Sequence, residues 1–324
     1  MTATADVSII IPTFNRAGLI REAIDSCLRQ QSSGLGLQIV VVDDCSTDET
    51  YNTLQEYGGA IDGLRLDKNG GQCCARNVGL ARATGKYVKF LDSDDVLEDG
   101  VLTKEVEIAD AVSADIVVTG WGNVEAGADG SPVAGTEKRW AAPEMEPLPD
   151  TVLWGRAVPT SSGLYKRSYI EGLEWDAGLS KLDDWDWFCR AALRLGRIAR
   201  LDRISYWMRE HAGDRITSSS TMIKNAREHH IILNKMEETL RERNQLTSAR
   251  ARQLAAYYYK ELRVLSLYDK PSFEKAAAHI RSLDPHFVPG DVELRGYMRP
   301  LTRALGFRRA TLLHSFVKRK VKRV

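Results

Sequence analysis

Apolar runs that break off in polar or acidic clusters set the strongest limit on how this chain can fold. VSIIIP (7–12), QIVVVDD (38–44) and KYVKFLDSDD (86–95) each string strand-forming residues together with little polar alternation. Such runs suit strands buried on both faces, the pattern of a parallel sheet covered by helices. Val7–Ile11, Gln38–Val42, Leu64–Leu66, Tyr87–Leu91 and Asp115–Thr119 read as strands. Amphipathic stretches near 17–30, 47–57, 74–83 and 101–111 alternate with them, and the second carries a capping box, Ser46 followed three residues on by Glu49. The alternation predicts an α/β fold with ligands bound at the carboxyl ends of its strands.

At those ends the chain places PTFNR (12–16), DDCSTD (43–48) and DSDD (92–95). Carboxylates crowded into one crevice raise one another's pKa and destabilise the fold unless a cation neutralises them. A hard divalent ion, Mg²⁺ or Mn²⁺, answers that need, because such ions take one or two carboxylates together with substrate phosphates. The competing reading is that the aspartates of 92–95 form a turn or cap the helix over 101–111.

The 122–150 segment is rich in glycine and proline and reads as a mobile loop over a site. A second set of elements follows: a strand at Gly163–Tyr165, a helix over 184–195 and a strand pair around 197–209. Helices near 220–244, 248–268 and 272–282 carry no chemistry-bearing cluster and read as a helical subdomain. With 43% hydrophobic residues the chain can fill a sizeable core, and no stretch of about 18 apolar residues predicts a membrane span. The polar start, MTATAD, gives no signal peptide. Five cysteines without CxxC spacing fit a reducing cytoplasm, with vicinal Cys73 and Cys74 as a rival reading of a redox sensor.

The net charge of +1 hides an asymmetry: residues 294–324 carry ten Lys or Arg and no Asp or Glu, leaving −9 on the rest. The stretch LLHSFVKRKVKRV suits a helix on the anionic inner face of a cell membrane, with a solvated tail, or one docked on the acidic body of its own chain, as the competing reading. The tail lacks aromatic interleaving and any recognisable module, so nucleic acid is not an expected partner.

The combination of VSIIIPTFNRAGLIREAIDSCLRQ, IVVVDDCSTDET, NGGQCCARNVGLARATGKYVKFLDSDD and LDDWDWFCRAALRLG resembles the family 2 glycosyltransferases with a GT-A fold, over about residues 6–212. The resemblance implies a Rossmann-like, mostly parallel sheet flanked by helices. It divides the chain into a transferase domain over 1–215, with a nucleotide-sugar half at about 1–120 and an acceptor half at about 121–215, and a helical region over 216–324. It implies inverting transfer from a nucleotide-diphosphate sugar, commonly UDP-linked, to a saccharide or lipid-linked saccharide acceptor in cell-surface polysaccharide or glycolipid synthesis.

Residue by residue, Pro12, Thr13, Asn15 and Arg16 match the segment lining the nucleotide pocket. Asp44 matches the aspartate that accepts a hydrogen bond from the base. Asn69, Gly71 and Arg76 match the NxGxxxARN region, with glycine permitting close approach and Arg76 facing the diphosphate or forming an ion pair. Asp92 and Asp94 match the DxD motif around Ser93, the first contacting ribose or sugar and the second binding the metal. Asp184 occupies the position of the catalytic base, although Asp183-Asp184 departs from the family's usual Glu-Asp. His211 lies where relatives keep a histidine near diphosphate or metal. Two other readings stay open: a nucleotidyltransferase, against which PTFNRAG lacks a glycine-rich, lysine-bearing loop, and a non-catalytic nucleotide-sugar binder.

Overall fold

The computed structural model describes residues 5–125, 138–141, 158–210, 219–268, 270–288 and 305–313. These fall in two compact units, one holding the described residues up to 210 and the other those from 219 onward. In the first, β1 (Val7–Thr13), β2 (Leu37–Asp43), β3 (Asp62–Arg65) and β4 (Tyr87–Phe90) pair in parallel in the spatial order β3-β2-β1-β4. The helices α1 (Ile20–Arg29), α2 (Thr50–Glu56), α3 (Gln72–Arg82) and α4 (Val101–Val112) complete the alternation.

The apolar runs are continuous because both faces of these strands are covered. Ile9, Ile11, Ile39 and Val41 pack on one side with Ile20 and Ile24 of α1 and Leu102 of α4. Their neighbours Val40 and Val42 point the other way, against Ala75 of α3. Every residue of β1 is buried, so the strand that leads into PTFNR is a rigid post in the middle of the core.

Past β4 the sheet becomes mixed. β8 (Gly163–Lys166) pairs antiparallel with β4 and with β6 (Ile116–Glu125), and β6 runs parallel to β9 (Ile198–Glu210). The short β5 (Val96–Leu97) closes that edge against β9, and β7 (Lys138–Trp140) pairs with β6. The strand expected at Asp115–Thr119 is therefore part of β6, separated from the parallel set by β8.

Two expectations are corrected. The strand pair around 197–209 is one strand: Thr119 pairs with Leu201 and Gly120 with Ile204, so Asp202 and Arg203 bulge out and break the apolar pattern that otherwise marks a strand. The capping box does not form. The Ser46 hydroxyl donates to the Asp43 carboxylate instead, and Asp48 accepts the Thr50 N–H at 3.0 Å where α2 begins. Most of the loop expected over 122–150 lies outside the described residues.

The helix α5 (Asp183–Ala192) ends the chemistry-bearing part of the first unit. In the second unit, α6 (Ser219–Glu242), α7 (Ser248–Tyr268) and α8 (Lys270–Leu283) bury Leu233, Met236, Leu254, Tyr258 and Ile280. Inside this packing Glu237 accepts hydrogen bonds from Arg241, at 2.8 Å, and Tyr258, at 3.3 Å, and His279 Nε2 lies 2.7 Å away. Helical residues 305–313 place Phe307 edge-on to Tyr259 and Phe287. That part of the basic tail packs on its own chain, whereas Lys318, Arg319, Lys320, Lys322 and Arg323 lie outside the described residues. No described helix is long and apolar enough to cross a membrane.

Candidate active site

The carboxyl ends of β1, β2 and β4 open onto a crevice of about 560 Å³. Pro12, Thr13 and Arg16 line it from β1, Asp44 from β2, Asn69 and Gly71 from the turn before α3, and Asp92, Ser93 and Asp94 from the end of β4. Sequence reasoning did not single out Phe14, Gln72 or Leu179, which share the lining, and it weighed Cys73 there only as half of a redox pair. Leu179 belongs to an irregular segment with no periodic signal.

Each wall is fixed by its own hydrogen bonds. The two oxygens of Asp44 each accept a backbone N–H, from Gly70 at 2.7 Å and from Gly71 at 2.8 Å. Gly71 sits at φ 85°, a conformation open to glycine and strained for other residues, and no atom comes within 4 Å of where its Cβ would be. Conformation, not close packing, demands glycine there. A Gly71→Ala variant is expected to lose about 1 kcal/mol of stability, read by denaturant titration, because the turn against Asp44 shifts. Asn15, itself at φ 52°, accepts the Thr47 N–H at 2.8 Å and donates its own N–H to Ser46 at 2.8 Å. Asn15 therefore joins the loops after β1 and β2 and is not among the residues lining the crevice.

Arg76 is the centre of the site's electrostatics. Read from the sequence as facing the diphosphate or forming an ion pair, it is only 2% exposed. Its guanidinium lies 4.3 Å over the Trp175 ring and reaches three carboxylates: Asp92 at 2.7 Å, Asp183 at 2.7 Å and Asp184 at 3.4 Å. Gln72 adds a 2.7 Å hydrogen bond to Asp183. The ion pairs direct the guanidinium to carboxylates, not into the open crevice. They join the end of β4 to the first turn of α5, which 90 residues of sequence separate.

Asp184 keeps 40% of its side chain exposed at the edge of this cluster. Desolvation pushes its carboxyl up to about 6; Arg76 pulls the other way, while Asp92 and Asp183 add to the rise. A carboxylate that titrates close to neutral pH and still reaches solvent can take a proton from a hydroxyl. Trp187 is fully buried, stacked on Trp175 at 5.1 Å, and Trp185 is 6% exposed, so both fill core. Asp95 does not cap α4, whose N-cap is Gly100; it accepts the Arg209 N–H on β9 at 3.2 Å, and burial holds its carboxyl well above the usual range. Burial likewise pushes the Cys73 thiol up to about 12, away from the low-pKa thiolate that a redox role would need at that position. His211 lies outside the described residues.

The donor set can be tested against a divalent ion. Asp94 is 22% exposed in the crevice wall with the Arg16 guanidinium 3.6 Å away, and Asp92 stands beside it. Among the described residues no three His, Cys, Asp or Glu side chains are grouped to enclose a metal. Two carboxylates at an open lip suit a hard ion that completes its shell with phosphate oxygens and water, and do not suit a closed structural site.

In sequence and in fold the chain is similar to known glycosyltransferases. Residues 8–168 match the model of Glycosyl transferase family 2. Over 219 residues the chain is 28% identical to the poly(ribitol-phosphate) beta-N-acetylglucosaminyltransferase TarS of Staphylococcus aureus, covering 65% of this chain and 37% of that protein. Over 118 residues it is 39% identical to the putative teichuronic acid biosynthesis glycosyltransferase TuaG of Bacillus subtilis, covering 36% and 46%. The chain thus spans less than half the length of these curated relatives. The crystal structure of S. aureus TarS 1-349 with UDP-GlcNAc shares the fold at TM-score 0.62 and 20% identity, over 96% of this chain and 89% of that one. The mannosyltransferase PcManGT from Pyrobaculum calidifontis, in complex with GDP-Man and Mn²⁺, does so at 0.51 and 18%, over 98% and 87%.

Proposed function

Because this chain belongs to glycosyl transferase family 2, we propose that it moves a sugar from a nucleoside diphosphate to an acceptor hydroxyl, with inversion, in the synthesis of a bacterial cell-surface polysaccharide. One observation carries the reading. Arg76 gathers Asp92, on the donor side of the crevice, and the Asp183-Asp184 pair into one ion cluster, so a sugar held at the first would stand within reach of a base at the second.

In this reading the donor's base lies against Asp44, Pro12 and Thr13, and its diphosphate lies toward Asp94 and Arg16. A Mg²⁺ or Mn²⁺ held by Asp94, with Asp92 adjacent, would supply Lewis-acid stabilisation of the charge that builds on the departing diphosphate. Asp184 accepts the proton of the acceptor hydroxyl as that oxygen bonds to the anomeric carbon and the bond to the diphosphate breaks. Asp183, tied to Arg76 and Gln72, holds the first turn of α5 in register with the crevice.

Purified protein incubated with radiolabelled UDP-GlcNAc and a saccharide acceptor, with and without Mn²⁺, tests the reading. Release of nucleoside diphosphate with labelled glycan is expected; release of pyrophosphate, or none of the diphosphate from any nucleotide sugar, would overturn it. Asp94→Ala is expected to lower turnover by about 10²- to 10³-fold and to abolish its stimulation by Mn²⁺. Turnover that still rises with Mn²⁺ in this variant would remove Asp94 from the metal site.

The pH profile follows from the sign of the Asp184 shift. The base acts when ionised, so kcat is expected to fall as pH drops through about 6. Stability has the opposite dependence. The folded state holds this proton more tightly than the unfolded chain, so the contribution of Asp184 to stability weakens as pH rises from the usual carboxyl range toward about 6. Paired measurements of kcat and urea midpoint across that range check both slopes.

A further inference from the structure

A second crevice, of about 520 Å³, opens in the same unit between the start of α4, the bulge of β9 and β7. Glu98, Asp99, Arg139, Trp140, Asp202 and Arg203 line it. Trp140 is 50% exposed, yet its ring is held as a plate, stacked on Trp121 at 6.3 Å between centroids and 20° between planes. Next to it the Arg139 guanidinium lies 5.0 Å over the Trp207 ring. Trp207 is itself fixed twice: its indole N–H donates to Glu98 at 2.6 Å, and its ring lies so close over Gly122 that a Cβ there would meet it at 2.3 Å. Asp202 and Arg203 reach the crevice because they are the two residues by which β9 bulges away from β6.

We propose that this crevice is an accessory saccharide subsite, which holds part of the acceptor chain away from the transfer site; the inference rests on the glycosyl-transfer reading. A pyranose ring offers an apolar C–H face and hydroxyls that both donate and accept hydrogen bonds. Trp140 supplies a rigid apolar plate, Glu98, Asp99 and Asp202 supply acceptors, and Arg139 and Arg203 supply donors. Three carboxylates face two guanidiniums at this mouth, and Arg29 pairs with Asp99 at 2.9 Å, so the lining has no excess of cations to select a phosphate or an anionic lipid. Position also fits: Glu98 is four residues beyond Asp94, so their Cα atoms are at most about 14 Å apart, within the span of a short oligosaccharide.

The test uses the full chain and neutral hexasaccharides, namely maltohexaose, cellohexaose and chitohexaose, titrated by ligand-observed NMR, with UDP titrated in parallel. At least one hexasaccharide is expected to bind in the millimolar range. Trp140→Ala and Asp202→Asn are each expected to weaken it about tenfold, with UDP affinity held within about twofold. The subsite is overturned if UDP binds and no hexasaccharide does, or if both variants keep wild-type saccharide affinity. It is also overturned if Trp140→Ala leaves saccharide binding alone and instead dissociates an oligomer in sedimentation, which would make the crevice an interface between copies. Saccharide binding that Trp140→Ala abolishes in a chain that binds no nucleoside diphosphate would support the subsite while refuting the transferase reading.

Discussion

Asp184→Asn is expected to slow sugar transfer by about 10²- to 10⁴-fold, the range in which a general base contributes, while leaving nucleoside diphosphate binding nearly unchanged. The amide keeps the shape of the side chain but cannot take the acceptor's proton. It also removes a charge whose desolvation raised its pKa, so the variant is expected to be at least as stable as the parent above pH 6. A thermal-shift titration with UDP and Mn²⁺, run beside the turnover assay, separates lost chemistry from lost binding. Turnover within tenfold of the parent would remove Asp184 from the mechanism and shift attention to Asp183.

Arg76→Met is expected to have the largest effect on stability, about 3–5 kcal/mol, because it strands buried carboxylate charge. Asp183, 4% exposed, would keep only Gln72 as a hydrogen-bond donor of comparable length, and Asp92 would lose its 2.7 Å partner. Adding Asp183→Asn should recover part of that loss, and the double-mutant cycle measures the coupling. Where the variant stays folded, the acid limb of its pH profile should move to higher pH, because Arg76 lowers the Asp184 pKa more than the Thr160 hydrogen bond does. A residue whose only role was packing would leave that limb in place. Arg76→Lys should fall between, since one ammonium cannot match the spread of a guanidinium across three carboxylates.

What the sequence revealed, and what it hid, follows from the range of the interactions. Strands buried on both faces announce themselves locally, so β1, β2 and β4 were legible as apolar runs, and the crevice followed from the polar residues at their ends. The capping box failed because Ser46 had a nearby competitor in Asp43, whose buried carboxylate recruits both its hydroxyl and its N–H. β9 looked like two strands because its bulge places charged residues in mid-strand. An ion pair at Arg76 was foreseeable, but its partners and its burial were hidden for another reason: the partners lie 16 to 108 positions away, and nothing local distinguishes a buried arginine from one on a helix surface. Asp184 could be put forward as a base only through a motif resemblance, since an aspartate in the first turn of a helix is ordinarily a cap.

The paired backbone hydrogen bonds on Asp44 have a consequence for how a donor is received. With both carboxylate oxygens already engaged by the turn at Gly70 and Gly71, the wall proposed to receive the nucleobase is fixed before any ligand arrives, and its ordering entropy is lost during folding. Donor capture at that wall should therefore resemble docking into a mould: single-exponential association whose rate climbs linearly with nucleotide concentration, without the plateau that a slow rearrangement of the turn would impose.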